Sequence, residues 1–213
     1  MLRHALMSML LLGALTATAA AQDDAIPQAQ VSMIAGGNAA NFRAPIPPGG
    51  IVAIFNQGSR PLADNIYSSN LQPLATNLAG TQVFVEGTAV GLLFVSPQQI
   101  NFVLPTLPAG TTRVNVDVVT RGEPRGFGVL NVGPNPGIFT SNSRGSGAVA
   151  AVATTDGITY DATVTSDGTP IPVPVEKNGR PNFLILYGTG FHSTMVTVTI
   201  NGVAVPVTFV GVA

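Results

Sequence analysis

The feature that most constrains this chain is an internal repeat. Val83-Phe-Val-Glu-Gly-Thr-Ala-Val-Gly-Leu-Leu-Phe-Val95 aligns with Val198-Thr-Ile-Asn-Gly-Val-Ala-Val-Pro-Val-Thr-Phe-Val210. Val83/Val198, Gly87/Gly202, Ala89/Ala204, Val90/Val205, Phe94/Phe209 and Val95/Val210 are identical pairs. Upstream of each copy lies a second matched pair: Gly50-Ile-Val-Ala-Ile-Phe-Asn-Gln-Gly58 follows the pattern of Asn182-Phe-Leu-Ile-Leu-Tyr-Gly-Thr-Gly190. Repeats so far apart describe two related domains rather than a solenoid, which uses shorter periods. The turn-rich Gly133-Pro134-Asn135-Pro136-Gly137 is the expected joint between them.

Both copies have the pattern of strands. Arg113–Val118 and Val196–Asn201 alternate polar and apolar residues, the period of a half-buried strand. Further strands are predicted at 51–56, 82–86, 89–95, 99–104, 126–132 and 183–187. Glu86-Gly87, Pro108-Ala109-Gly110, Asp156-Gly157, Asp167-Gly168 and Asn201-Gly202 supply turns between or beside them. With 24 Gly and 17 Pro, punctuation is too dense for long helices. The fold class expected is all-β, as two tandem immunoglobulin-like sandwiches.

The N-terminus reads as an export signal. Arg3 and His4 precede an apolar run from Ala5 to Leu15, and small residues end at Ala19-Ala20-Ala21. That order describes a secretory signal peptide cleaved after Ala21, and the run is too short to span a bilayer. The expected divisions are a signal peptide at 1–21, an extension at 22–35, a sandwich at 36–133 and a second sandwich at 134–213. The protein is thus expected to be exported, with no membrane span once the signal is removed.

Composition narrows the chemistry. Charged residues make up 9% of the chain and net charge is −1, so no basic stripe addresses nucleic acid. The absence of Cys excludes disulfides, thiolate metal sites and thiol catalysis.

Some residues resemble known families. Pro47–Phe55 and Leu186–Phe191 look like the opening strand of IPT/TIG immunoglobulin-like domains. More widely, residues 36–213 resemble the uncharacterised Solibacter-type C-terminal module of exported bacterial proteins. The marks are Asn38-Ala39-Ala40-Asn41-Phe42, Val95-Ser96-Pro97-Gln98-Gln99-Ile100-Asn101, Pro136-Gly137-Ile138-Phe139 and Leu186-Tyr187-Gly188-Thr189-Gly190. The resemblance implies tandem Ig-like sandwiches and brings no established activity with it. Asn56 stands where that family usually has Gly. The family continues past the position of Ala213 through a second Gln-x-Asn strand, so the second sandwich is expected to be incomplete. The first is expected to be the more stable, with Val205–Val210 left as an apolar edge prone to association.

Candidate sites are sparse. His192 beside Ser193 is the one histidine after the signal, but it lacks the Gly-x-Ser-x-Gly elbow and an orienting acid. Asp156, Asp161 and Asp167 suggest calcium only weakly, since two of them sit in Asp-Gly turns. Glu86, Glu123 and Glu176 lie by turns and do not form an obvious glycosidase pair. The most distinctive polar stretch is Ser96–Asn101. Gln99 and Asn101 are candidate ligand-facing amides, or else amides that satisfy backbone groups where the strand leaves Pro97. Tyr67 is a candidate stacking residue. No catalytic, metal or cofactor residue is assigned. The function expected is a non-enzymatic exported structural or protein-interaction module, a spacer or attachment unit with a protein partner at the cell surface. The alternative is a glycan- or surface-binding module, and a hydrolase is the remote third.

Overall fold

The computed structural model describes residues 31–191 and 196–211. The expected signal peptide, His192 and Ser193 lie outside them. Every regular element among the described residues is a strand.

Residues 32–131 supply β1 (Ser32–Asn38), β2 (Ile51–Asn56), β3 (Tyr67–Ser68), β4 (Thr81–Val85), β5 (Thr88–Ala89), β6 (Leu92–Val95), β7 (Gln99–Val103), β8 (Arg113–Thr120) and β9 (Glu123–Asn131). They hydrogen-bond in the order β3-β6-β7-β2-β1-β9-β8-β4-β5. The run folds over on itself into an Ig-like sandwich. Alternation decides which side chains go inside: in β8, Val114, Val116 and Val118 are buried while Arg113, Asn115 and Asp117 are exposed. These valines, with Val83 and Val85 of β4, share one core with Val52 and Ile54 of β2, Leu92 and Val95 of β6, and Ile100 and Phe102 of β7. Buried hydroxyls at Thr81 and Thr120 are paired. They meet at 3.1 Å, and the Thr120 hydroxyl donates to the Leu62 carbonyl at 2.6 Å.

Two strands change sheet. Ser32 and Met33 of β1 pair in parallel with Gly126 and Phe127 of β9, whereas Ile34–Asn38 pair antiparallel with β2. The sheet therefore takes in residues 32–35, which the sequence assigned to an extension. The predicted strand 89–95 is likewise two elements: β5 pairs with β4 and β6 pairs with β7. The crossing falls at Val90-Gly91, where a Cβ at Gly91 would come within 2.8 Å of Leu74.

The remaining elements are β10 (Gly137–Ile138), β11 (Ala151–Thr154), β12 (Asp161–Ala162), β13 (Glu176–Lys177), β14 (Arg180–Pro181), β15 (Phe183–Leu186), β16 (Gly188–Thr189), β17 (Val198–Ile200) and β18 (Val203–Val205). The repeated hairpin is visible in both places. Phe84↔Ala89 and Val85↔Thr88 frame Glu86-Gly87, as Thr199↔Ala204 and Ile200↔Val203 frame Asn201-Gly202. All four turn residues have positive φ, between 48° and 79°. That is the two-residue turn whose twist suits a hairpin. The expected edge strand Val205–Val210 does not form. β18 stops at Val205 because Pro206 has no N–H to extend the ladder. Pro206 aligns with Gly91, so both copies leave the hairpin at the same position.

Candidate functional site

The outer face of β6, β7 and β2 carries the candidate amides. Gln99 stands opposite Phe55, and Asn101 opposite Ala53 on one side and Phe94 on the other. Directly paired residues share a face, so Gln99 and Asn101 lie between two phenylalanines. Phe42, in the loop after β1, meets the Phe55 ring edge-on with centroids 5.6 Å apart. The Gln99 side-chain N–H donates to Asn101 Oδ1 at 2.8 Å. The amides thus pair with each other rather than with the backbone. Backbone satisfaction falls to neighbours instead. Ser96 Oγ accepts from Gln99 N and donates to Gln99 O, both at 2.9 Å, closing the β6–β7 turn. Asn56 donates to the carbonyls of Arg60 and Pro97 and accepts from Gly58 N.

Tyr67 does not join this face. It pairs with Val95, whose side chain points into the core, while its neighbour Ser68 pairs with Phe94. Tyr67 is 48% exposed on the edge strand β3, on the opposite side of the sheet from Gln99 and Asn101. Two hollows of about 310 and 370 Å³ lie elsewhere, one lined by Glu86, Arg113, Asn115 and Val129 and the other by Asp117, Pro124 and Phe127.

A second constellation escaped the sequence reading as a functional group. Asn38 is fully buried; its Nδ2 donates to Asn135 O at 2.5 Å and its Oδ1 accepts from Ala40 N at 2.8 Å. Asn135 Nδ2 donates back to the carbonyls of Pro45 and Arg43, and Asn41 Nδ2 donates to Asn135 Oδ1. Three asparagines thereby hold the 134–137 segment against the loop after β1. Nearby, the Ile51 N–H donates to Thr189 Oγ1 at 2.7 Å. Gly190, at φ +81°, lies so close to Pro47 that a Cβ there would sit 2.3 Å from the ring. The signal in the sequence was the Asn38–Asn41 motif, but its partner is more than ninety residues away.

The acidic turns are structured by their own backbone. Amides of Thr159 and Ile158 bond to Asp156 and lower its pKa to about 2. The Thr165 hydroxyl, followed by the Thr169 amide, lowers that of Asp167. Asp161 pairs with Lys177 Nζ at 2.5 Å. Among the described residues, no three His, Cys, Asp or Glu side chains group closely enough to hold a metal ion. No helix among them is long and apolar enough to cross a membrane.

Residues 65–131 match the family model of the IPT/TIG domain. The matched stretch holds β3 to β9, seven of the nine strands of the sandwich, and begins after the Pro47–Phe55 strand that carries the resemblance in sequence. No curated protein and no solved structure matches the chain.

Proposed function

We propose that this protein is a non-enzymatic exported module that works as a stiff spacer or attachment unit, built of tandem Ig-like domains. IPT/TIG domains are typically structural or interaction modules. The observation that carries the reading is the asparagine-centred joint. A flexible linker leaves its peptide groups to water, whereas here the Asn135 carbonyl and side chain are bonded to Asn38, Asn41, Arg43 and Pro45. Such bonds fix the direction in which the chain leaves the sandwich. Spin labels placed on β8 and β11 test this. A single narrow distance distribution, broadened in the Asn38→Ala variant, is the expected result. A broad distribution in the unaltered protein would sink the spacer reading.

The second reading is glycan or surface binding through the Gln99–Asn101 face. It is favoured by the two amides lying between Phe55 and Phe94, a polar strip with apolar flanks. A glycan array decides it: binding lost in Gln99→Ala and Asn101→Ala but retained in Tyr67→Ala supports this face. Equal loss in Tyr67→Ala places the site elsewhere.

A further inference from the structure

The face of β4, β8, β9 and β1 that points away from the core is apolar for a surface. Met33, Phe127 and Val129 are each between 46% and 52% exposed. Phe127 of β9 stands between Met33 of β1 and Asp117 of β8, and the half-buried Phe84 of β4 flanks Asp117 on its other side. Directly paired residues share a face, so these side chains form one band across four strands. Contiguous apolar surface rimmed by polar residues marks an interaction site.

The charges on this face are arranged about a centre. Arg113, Asn115 and Asp117 are exposed at alternate positions of β8. Arg60, Arg121, Arg125 and Lys177 each have a carboxylate partner, whereas neither Arg113 nor Asp117 joins an ion pair among the described residues. The two hollows straddle the same centre. One is lined by Arg113, Asn115 and Val129, the other by Asp117, Pro124 and Phe127. Glu86, at the rim of the first, accepts from the Asn115 backbone N–H and Nδ2 of its own chain.

We infer that a second copy of this chain packs on this face, about a two-fold axis that crosses β8 at Asn115. Such an axis makes every contact occur twice, so the surface must complement itself. Turning the face about that axis sets Arg113 over Asp117 of the other copy, and Asp117 over its Arg113. The same turn carries Phe127 over the hollow beside Arg113 and Val129 of the other copy, and lays Val129 on its counterpart. Aligned sheets pack about 10 Å apart, a gap that an Arg and an Asp side chain span together. The apolar band supplies the burial and the two ion pairs fix the register. Opposite charges placed symmetrically about one residue are what a two-fold interface requires, and a different partner does not need them.

Sedimentation of the whole chain tests this. From about 1 to about 500 μM it should pass from monomer to dimer, as expected of a small interface. Arg113→Asp and Asp117→Arg should each weaken the dimer by about tenfold or more, because like charges then meet twice. An equimolar mixture of the two variants should recover it, since every facing pair is then of opposite sign. Recovery also shows that both variants are folded. A chain carrying both reversals should associate as the unaltered protein does. A monomer throughout the range, or a mixture and a double reversal that both stay monomeric, overturns the proposal. So does association that neither single reversal weakens, which would place the contact on another surface, such as the exposed Val203 and Phe209.

Discussion

The hydroxyl oxygen of Thr189 accepts the hydrogen bond that the backbone N–H of Ile51 donates, at 2.7 Å. This single bond joins the first residue of β2 to β16. Replacing Thr189 by Val keeps the shape and removes the acceptor. The loss should cost about 1–2 kcal/mol, since a partly buried N–H is left without a partner. Faster exchange of the Ile51 amide in Thr189→Val, restored in Thr189→Ser, is the expected result.

Asn38→Ala should be far more damaging than Asn41→Ala. The first leaves the buried Ala40 N–H and the part-buried Asn135 carbonyl unpaired, at roughly 1–3 kcal/mol for each. The second removes partly exposed bonds and should cost under about 1 kcal/mol. Denaturant titration of both variants checks the order.

The two copies of the hairpin predict opposite sensitivities at matched positions. Val85 is 1% exposed and its counterpart Ile200 is 53% exposed. Val85→Ala should lose about 2 kcal/mol through transfer and cavity terms. Ile200→Ala should lose no more than about 0.5 kcal/mol, the usual range for surface changes. Gly87→Ala and Gly202→Ala, by contrast, should behave alike locally. Each has open space around the added methyl but positive φ, so each should disfavour its turn by about 1 kcal/mol. Thermal melts and turn-specific chemical shifts separate these cases.

The Asp156 turn should loosen in acid. Its folded pKa is lowered to about 2 from 3.8, chiefly by the amides of Thr159 and Ile158. A lowered folded pKa means that the ionised carboxylate supports the turn above the unfolded value. That support is lost as pH falls from about 4 toward 2. Amide exchange at Ile158 and Thr159 should rise across this window, and Asp156→Ala should abolish the pH dependence.

The sequence was most legible where alternation was regular. β2 spans the predicted 51–56, and β8 and β9 include most of the predicted residues. β1 was missed because Gly36 and Gly37 leave no apolar rhythm, and because its partner changes midway from β9 to β2. Gln99 and Asn101 were placed on one strand face by period two alone. The side on which Tyr67 lies could not be read: β3 has two residues, too few to show a period, and its orientation comes from pairing with β6. The asparagine joint was invisible for another reason. Asn135 sits in a Pro- and Gly-rich stretch with the composition of a linker, and only folding brings it to Asn38.

The divided loyalty of β1 sets how this sandwich bears tension. Ser32–Met33 run parallel to Gly126–Phe127, and farther along Ile46 N donates to Asn131 O while Gly133 N donates to Ile46 O. The chain enters at one end of this parallel zone and leaves at the other. A force drawing entry and exit apart therefore slides the strands lengthwise and strains these bonds together, where an antiparallel pair of ends would peel one bond at a time. Placed in series between two anchored neighbours, the sandwich would resist stretching as a rivet does rather than as a zipper.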